Sequence, residues 1–157
     1  MTMRFAPAIL SASLLTAGPA AAERQDHFTV RVHVVEECQI VAQDLHFGIV
    51  EPPAAKTGQT VLNLHCTPGT SADVTLGDGA SGNARRRYMQ GPAELVYQLY
   101  RDAALRDPID EIGATFVVHG RDNDGQVIPF RVYGEIPAGQ QVPPGEYVDL
   151  IHVTVQF

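Results

Sequence analysis

Apolar and polar residues alternate with period two over much of this chain, the spacing of strands with one face buried. His27 to Val35 alternates cleanly: Phe28, Val30, Val32 and Val34 fall on one face, and His27, Thr29, Arg31 and His33 on the other. Similar runs recur at Gln59–Cys66, Ala72–Leu76, Leu95–Tyr100, Ala114–His119, Val127–Tyr133 and Tyr147–Phe157. Between them lie turn signals: Glu51-Pro52-Pro53, Thr67-Pro68-Gly69, Asn123-Asp124-Gly125 and Pro143-Pro144-Gly145. Short strands punctuated in this way predict an antiparallel β-sandwich or barrel, and no run has helical periodicity.

The two ends need a joint account. The last predicted strand runs into Phe157, so its outer edge is expected to lack a partner within the chain. The amphipathic run 27–35 precedes Cys38, so a bonded core could begin only after it. A sandwich one strand short, headed by a spare strand, could complete its neighbour by strand addition. Pattern alone equally allows residues 27–35 to be the domain's own first strand.

Composition adds the compartment. Arg4, the mostly apolar stretch Phe5–Leu15 and the small residues 17–22 read as a secretory leader, with cleavage expected after Ala22. No stretch approaches the roughly 18 apolar residues of a membrane span. The chain carries 11 Lys and Arg against 18 Asp and Glu, a net charge of −7. Removing Arg4, the only Lys, Arg, Asp or Glu in residues 1–22, leaves 10 against 18, or −8. An acidic chain lacks the basic stripe that nucleic-acid binding needs. The one basic cluster, Arg85-Arg86-Arg87, reads as a solvated turn or strand end. Two cysteines, Cys38 and Cys66, are expected to be bonded in an exported protein. Their spacing of 28 implies about 3.6 kcal/mol of loop-entropy stabilisation.

Four patterns resemble reactive sites and lack the context that would make them so. Gly77-Asp78-Gly79-Ala80-Ser81-Gly82 matches G-x-G-x-x-G, but no helical pattern follows, so a flexible hairpin loop is expected rather than a dinucleotide cradle. Asp122-Asn123-Asp124-Gly125 lacks the Gly and Glu positions of a calcium loop and reads as a turn. His27, His33, His46, His65, His119 and His152 are scattered without ligand spacing, so no metal site is expected. Ser71 and Ser81 lack a nucleophile elbow. No catalytic residue and no cofactor are assigned.

An ordered set of segments carries a family resemblance. It comprises Cys38-Gln39-Ile40, Asp44-Leu45-His46-Phe47-Gly48, Val61 to Gly69, Val74-Thr75-Leu76, Arg87-Tyr88-Met89, Leu95 to Asp102, Val132 to Gln140, Pro144 to Asp149 and Val153 to Phe157. Together they resemble the spore coat protein U family, whose members include major pilins of archaic chaperone–usher pili. One departure lies at Arg106 to Gly113, where members often carry Trp-Gly; this chain has no Trp, which leaves that loop's conformation open.

The resemblance implies an all-β, incomplete immunoglobulin-like sandwich lacking its final strand and completed by donor-strand exchange. It implies three regions: a signal peptide over 1–22, a donor extension over 23–36 and a pilin domain over 37–157. Phe28, Val30, Val32 and Val34 then match the donor positions. The implied partners are further copies of the chain, a periplasmic chaperone and an outer-membrane usher. The implied role is a non-enzymatic pilus subunit, exported through the periplasm to the cell surface, in adhesion and biofilm formation. The alternative is a non-polymerising secreted coat or binding protein of the same fold.

Overall fold

A computed structural model describes residues 23–51, 53–110 and 115–157. The expected leader, 1–22, lies outside the described residues. Two units divide the chain, residues 1–33 and 34–157. In the first, residues 23–33 join no ladder. Among the described residues the second holds eight strands: β1 (Cys38–Ala42), β2 (Lys56–Cys66), β3 (Ala72–Leu76), β4 (Arg87–Gln90), β5 (Glu94–Tyr100), β6 (Thr115–Val118), β7 (Ile128–Ile136) and β8 (Val153–Gln156). Every pairing is antiparallel.

Two sheets form an immunoglobulin-like sandwich, one ordered β1-β2-β7-β5-β4 and the other β6-β3-β8. Alternation decides what lies between them. In β2, Leu62, Leu64 and Cys66 are buried while Gln59 and His65 are exposed. Leu95, Tyr97 and Leu99 of β5 are buried, as are Val74 and Leu76 of β3 and Val132 and Ile136 of β7. Each such side chain contributes about 1.5–3 kcal/mol on leaving water. Most predicted runs thus form strands, with shifted ends: β2 starts three residues earlier, β7 runs to Ile136, and only Val153–Gln156 of the run 147–157 is regular strand, while the run 27–35 joins no sheet. β1 and β4 were not among the predicted runs. β1 is an edge strand with one face in solvent, and β4 is too short to show a period.

The disulfide joins Cys38 to Cys66, which face each other at the first pair of the β1–β2 ladder. Just before it, the Thr67 N–H donates to the Glu37 carbonyl at 2.9 Å, and the Thr67 hydroxyl donates to the Val35 carbonyl at 3.2 Å. Beyond β1, the Gln43 N–H still donates to the Val61 carbonyl, and the Thr60 hydroxyl donates to the Gln43 carbonyl at 2.6 Å.

The chain then turns inward through Leu45 and Phe47, and two facing glycines receive them. Gly58 of β2 pairs with Gly134 of β7. A Cβ on Gly134 would lie 2.8 Å from Phe47 Cζ and 3.0 Å from Leu45 Cδ1, so the Leu45–Phe47 segment occupies the space a side chain would fill.

Arg87 departs from the expected solvated cluster. Arg85 and Arg86 are exposed, but Arg87 is fully buried. Position 87 falls on the inward face of β4, between the sheets, and the tertiary structure surrounds it with acceptors. Its guanidinium donates to the carbonyls of Ala84, Ile109 and Gly77 and to the Gln98 side-chain oxygen. Burial lowers its pKa from the ordinary value, opposed by Tyr97 and the carboxylates of Asp78, Asp149 and Asp110. The loop after β5 is shaped by Asp102, whose carboxylate accepts the N–H groups of Arg106 and Asp107 at 2.8 Å each. Within that loop Leu105 takes a positive φ of 55° and Ile109 is fully buried; residues 111–114 are outside the described set.

Gly134→Ala should destabilise the domain by about 1–3 kcal/mol, the cost of overpacking, because Phe47 and Leu45 must shift. Urea unfolding followed by tyrosine fluorescence measures this as a lower midpoint at unchanged slope; an unchanged midpoint would dismiss the packing role of the glycine pair.

Candidate functional site

The sandwich is closed along one side and open along the other. The segment 147–156 pairs on one edge with β4, through Val148 and Gln90, and farther on with β3. Val148 exchanges both backbone hydrogen bonds with Gln90, at 2.8 and 2.9 Å, and the Gly77 N–H donates to the His152 carbonyl at 2.8 Å. Val148 thus spends its backbone groups, and His152 its carbonyl, on this edge. In an antiparallel ladder the intervening residues point the other way, and among the described residues nothing pairs with that second edge. From Tyr147 to Val155 it runs nine residues, about 30 Å at 3.3 Å per residue.

A cleft of about 470 Å³ lies along this edge. One wall is Ala42–Phe47, the continuation of the edge strand β1, and the other is Glu146–Ile151 with Val153. Its floor is the sandwich interior, including Leu62, Leu76, Met89, Leu99 and Val132. Toward the other end β1 and β8 approach each other and the opening narrows. Tyr147, Ile151, Val153 and Val155 turn half-buried side chains inward, while Val148 and Leu150 are exposed. An apolar slot bordered by unpaired N–H and C=O groups is costly in water and suits an added extended segment.

One polar group sits among these apolar residues. Asp149 belongs to the inward row, and its Oδ2 accepts the Tyr97 hydroxyl at 2.6 Å while its Oδ1 accepts the Ala80 N–H at 2.8 Å. The G-x-G-x-x-G segment therefore differs from the flexible loop expected: Gly79–Ser81 is a 3₁₀ turn wrapped on a carboxylate. Gly79 has φ of 69°, and a Cβ there would lie 2.2 Å from Asp149 Oδ2. Tyr97 also meets the opposite wall, with its ring edge-on to Phe47 at 6.3 Å and 66°.

The residues singled out from the sequence fall as follows. Phe28, Val30, Val32 and Val34 are exposed, at 87%, 81%, 87% and 71%. That is unusual for four apolar side chains in a row of alternating positions. Cys38 and Cys66 are bonded. Asn123 forms the expected turn, accepting the Gly125 N–H at 3.0 Å and donating to the carbonyls of Thr67 and Thr70. No three His, Cys, Asp or Glu residues among those described are grouped to hold a metal. No helix among the described residues is long and apolar enough to cross a membrane. Sequence reasoning missed Tyr97, Asp149 and Phe47 as cleft-shaping residues. Asp149 was the available signal: a carboxylate on the apolar face of an otherwise alternating strand needs a buried partner.

Burial, the Asp149 hydrogen bond and the charge of that carboxylate raise the Tyr97 phenol far above its ordinary value of 10, against a smaller lowering by Arg87. Above pH 10 the unfolded chain releases this proton while the folded domain keeps it. Tyr97 therefore supports folding fully below pH 10, and that support drops by about 1.4 kcal/mol for each further pH unit. Urea midpoints measured from pH 9 to 11 should fall less steeply in Tyr97→Phe than in the parent; parallel curves would contradict this linkage.

Comparison with known proteins places these features in context. The Spore Coat Protein U domain matches residues 25–154. "Protein U" of Myxococcus xanthus is 29% identical over 168 residues, covering 94% of this chain and 93% of that protein. Among solved structures, a chain of the CsuC–CsuE chaperone–tip adhesion subunit pre-assembly complex, from archaic chaperone–usher Csu pili of Acinetobacter baumannii, superposes with a TM-score of 0.59 at 25% identity. The match covers 79% of this chain and 40% of that one, so this chain spans less than half of its length. The P pilus rod subunit PapA shares the fold at a TM-score of 0.53 and 10% identity, over 85% of this chain and 99% of PapA.

Proposed function

Because the chain belongs to the Spore Coat Protein U domain family, we propose that it is a structural subunit of a chaperone–usher pilus and polymerises by donor-strand complementation. The observation that carries this reading is a match in length and period. The cleft is bordered by a nine-residue unpaired edge, and residues 27–35 are nine residues of exposed, alternating chain. In this reading residues 1–22 are a leader removed on export, 23–36 the donor extension and 37–157 the acceptor domain.

Phe28, Val30, Val32 and Val34 of one copy enter the cleft of the next. Burying four such side chains yields roughly 6–12 kcal/mol before ordering costs. The added strand also satisfies the edge's N–H and C=O groups. Only every second residue faces the interior, so a one-residue slip would present His and Thr to the core. Donor and cleft are different surfaces, so the contact is head-to-tail and extends into a filament rather than closing on itself.

Before assembly the empty cleft needs a temporary occupant. The similarity to a chain from a chaperone–subunit complex supports a periplasmic chaperone in that role, with an outer-membrane usher exchanging chaperone for donor. The finished polymer is a surface pilus serving adhesion and biofilm formation, without enzymatic activity. The second reading, a non-polymerising secreted coat or binding protein of the same fold, is supported by the description of the matching family as a spore coat protein domain.

Val32→Asp, which would carry an unpaired charge into the cleft, should abolish polymerisation while the chaperone-bound monomer stays folded. A denaturing gel run without boiling reads this directly. The parent should give a ladder that collapses to one band on heating, and Val32→Asp should give the single band alone. A single unheated band from the parent would favour the coat reading, and a normal ladder from Val32→Asp would reject the donor assignment.

A further inference from the structure

The two walls of the cleft belong to strands that share no ladder beside it, yet they stand apart over an apolar floor. Collapse would be expected of such a slot, because closing it buries Leu45, Phe47 and Ile151 against each other. Tyr97 contacts both walls by specific interactions. Its ring meets Phe47 edge-on at 6.3 Å, and its hydroxyl reaches Asp149 at 2.6 Å. The side chain is 5% exposed and rises from β5 in the floor of the cleft.

Each end of this connection is itself held. Phe47 rests on the Gly58–Gly134 pair. Asp149 is tied to Ala80 at 2.8 Å in a turn where only glycine fits at position 79. Beneath the same turn, buried Arg87 donates to the Gly77 carbonyl at 3.1 Å. A hydroxyl–carboxylate bond out of water is among the stronger hydrogen bonds. Such a tie can hold strand 147–151 against sideways movement.

We infer that Tyr97 is a strut that holds the empty cleft at strand width, with Phe47 and Asp149 as its two footings, so that an incoming donor strand meets a preformed slot. Tyr97 is thus a positioning residue for strand capture. The inference rests on the donor-strand reading above and adds to it a device for the unfilled state. Once a strand is inserted, the strand itself separates the walls and the strut becomes redundant. A strut therefore acts on capture and not on release, whereas a residue that merely stabilises the domain would act on both.

The test uses the full chain refolded as a dilute monomer, with a fluorescent peptide of residues 23–36 as probe. Tyr97→Phe keeps the ring against Phe47 and removes the bond to Asp149; Asp149→Asn weakens the same bond from the other side. In both variants peptide uptake should slow about tenfold, the scale of one hydrogen bond to a charged group, while release should stay within about twofold of the parent. Unchanged uptake, or faster release alone, would overturn the strut. If Tyr97→Phe does not fold, Asp149→Asn decides alone on the same two rates. A peptide carrying Val32→Asp separates the two levels. Should it bind the parent as well as the natural peptide does, the donor-strand reading fails and the strut with it. If it fails to bind while Tyr97→Phe takes up the natural peptide at the parental rate, only the strut is lost.

Discussion

The edge of residues 147–155 that has no strand partner among the described residues is the constraint on which the rest of this protein depends. Backbone N–H and C=O groups that leave water need partners, and burial without them costs more than most single side-chain contacts return. Here one side is spent on β4 and β3, and the other opens on an apolar slot. The interior is otherwise well formed, with Leu64, Val74 and Val132 out of contact with water. The incompleteness is therefore local, a missing strand in a packed sandwich rather than a loose core.

Much of the remaining architecture keeps that opening from closing or spreading. β1 is an edge strand with a ladder to β2 alone, yet its continuation forms a wall of the cleft. It is secured at its start by the Cys38–Cys66 bond and past its end by hydrogen bonds at Gln43. Leu45 and Phe47 then lock over two glycines. On the opposite wall Asp149 joins Tyr97 and the Gly79–Ser81 turn, while Arg87 holds the base of that turn from within. Polar groups thus sit at the few places where apolar packing alone would let the walls move together.

Legibility differed by element for physical reasons. Long alternating strands such as β2 and β7 were visible because one face lies in the core and the other in solvent, while their pairing with each other was decided only in the folded sheet. β4 was hidden, since four residues hold too little pattern and one of its inward positions is Arg87, a charge where the period calls for an apolar residue. The buried arginine is explained by acceptors from Ala84, Ile109, Gly77 and Gln98, which come from three separate parts of the chain. The Gly77–Gly82 loop was unreadable for the same reason, because its partner Asp149 lies 69 residues from Ala80.

Local pattern was sufficient to specify an all-β chain, most of its strands, a bonded cysteine pair and the amphipathic segment 27–35. These follow from period, turn chemistry and compartment, properties of short stretches that need no knowledge of what lies nearby in space. Only the folded arrangement could decide that the open edge faces a real cleft, that Phe47 and Asp149 stand across it, and that Tyr97 touches both. Such facts depend on which distant residues the two sheets bring together, and side-chain period carries no information about distance between strands that never pair.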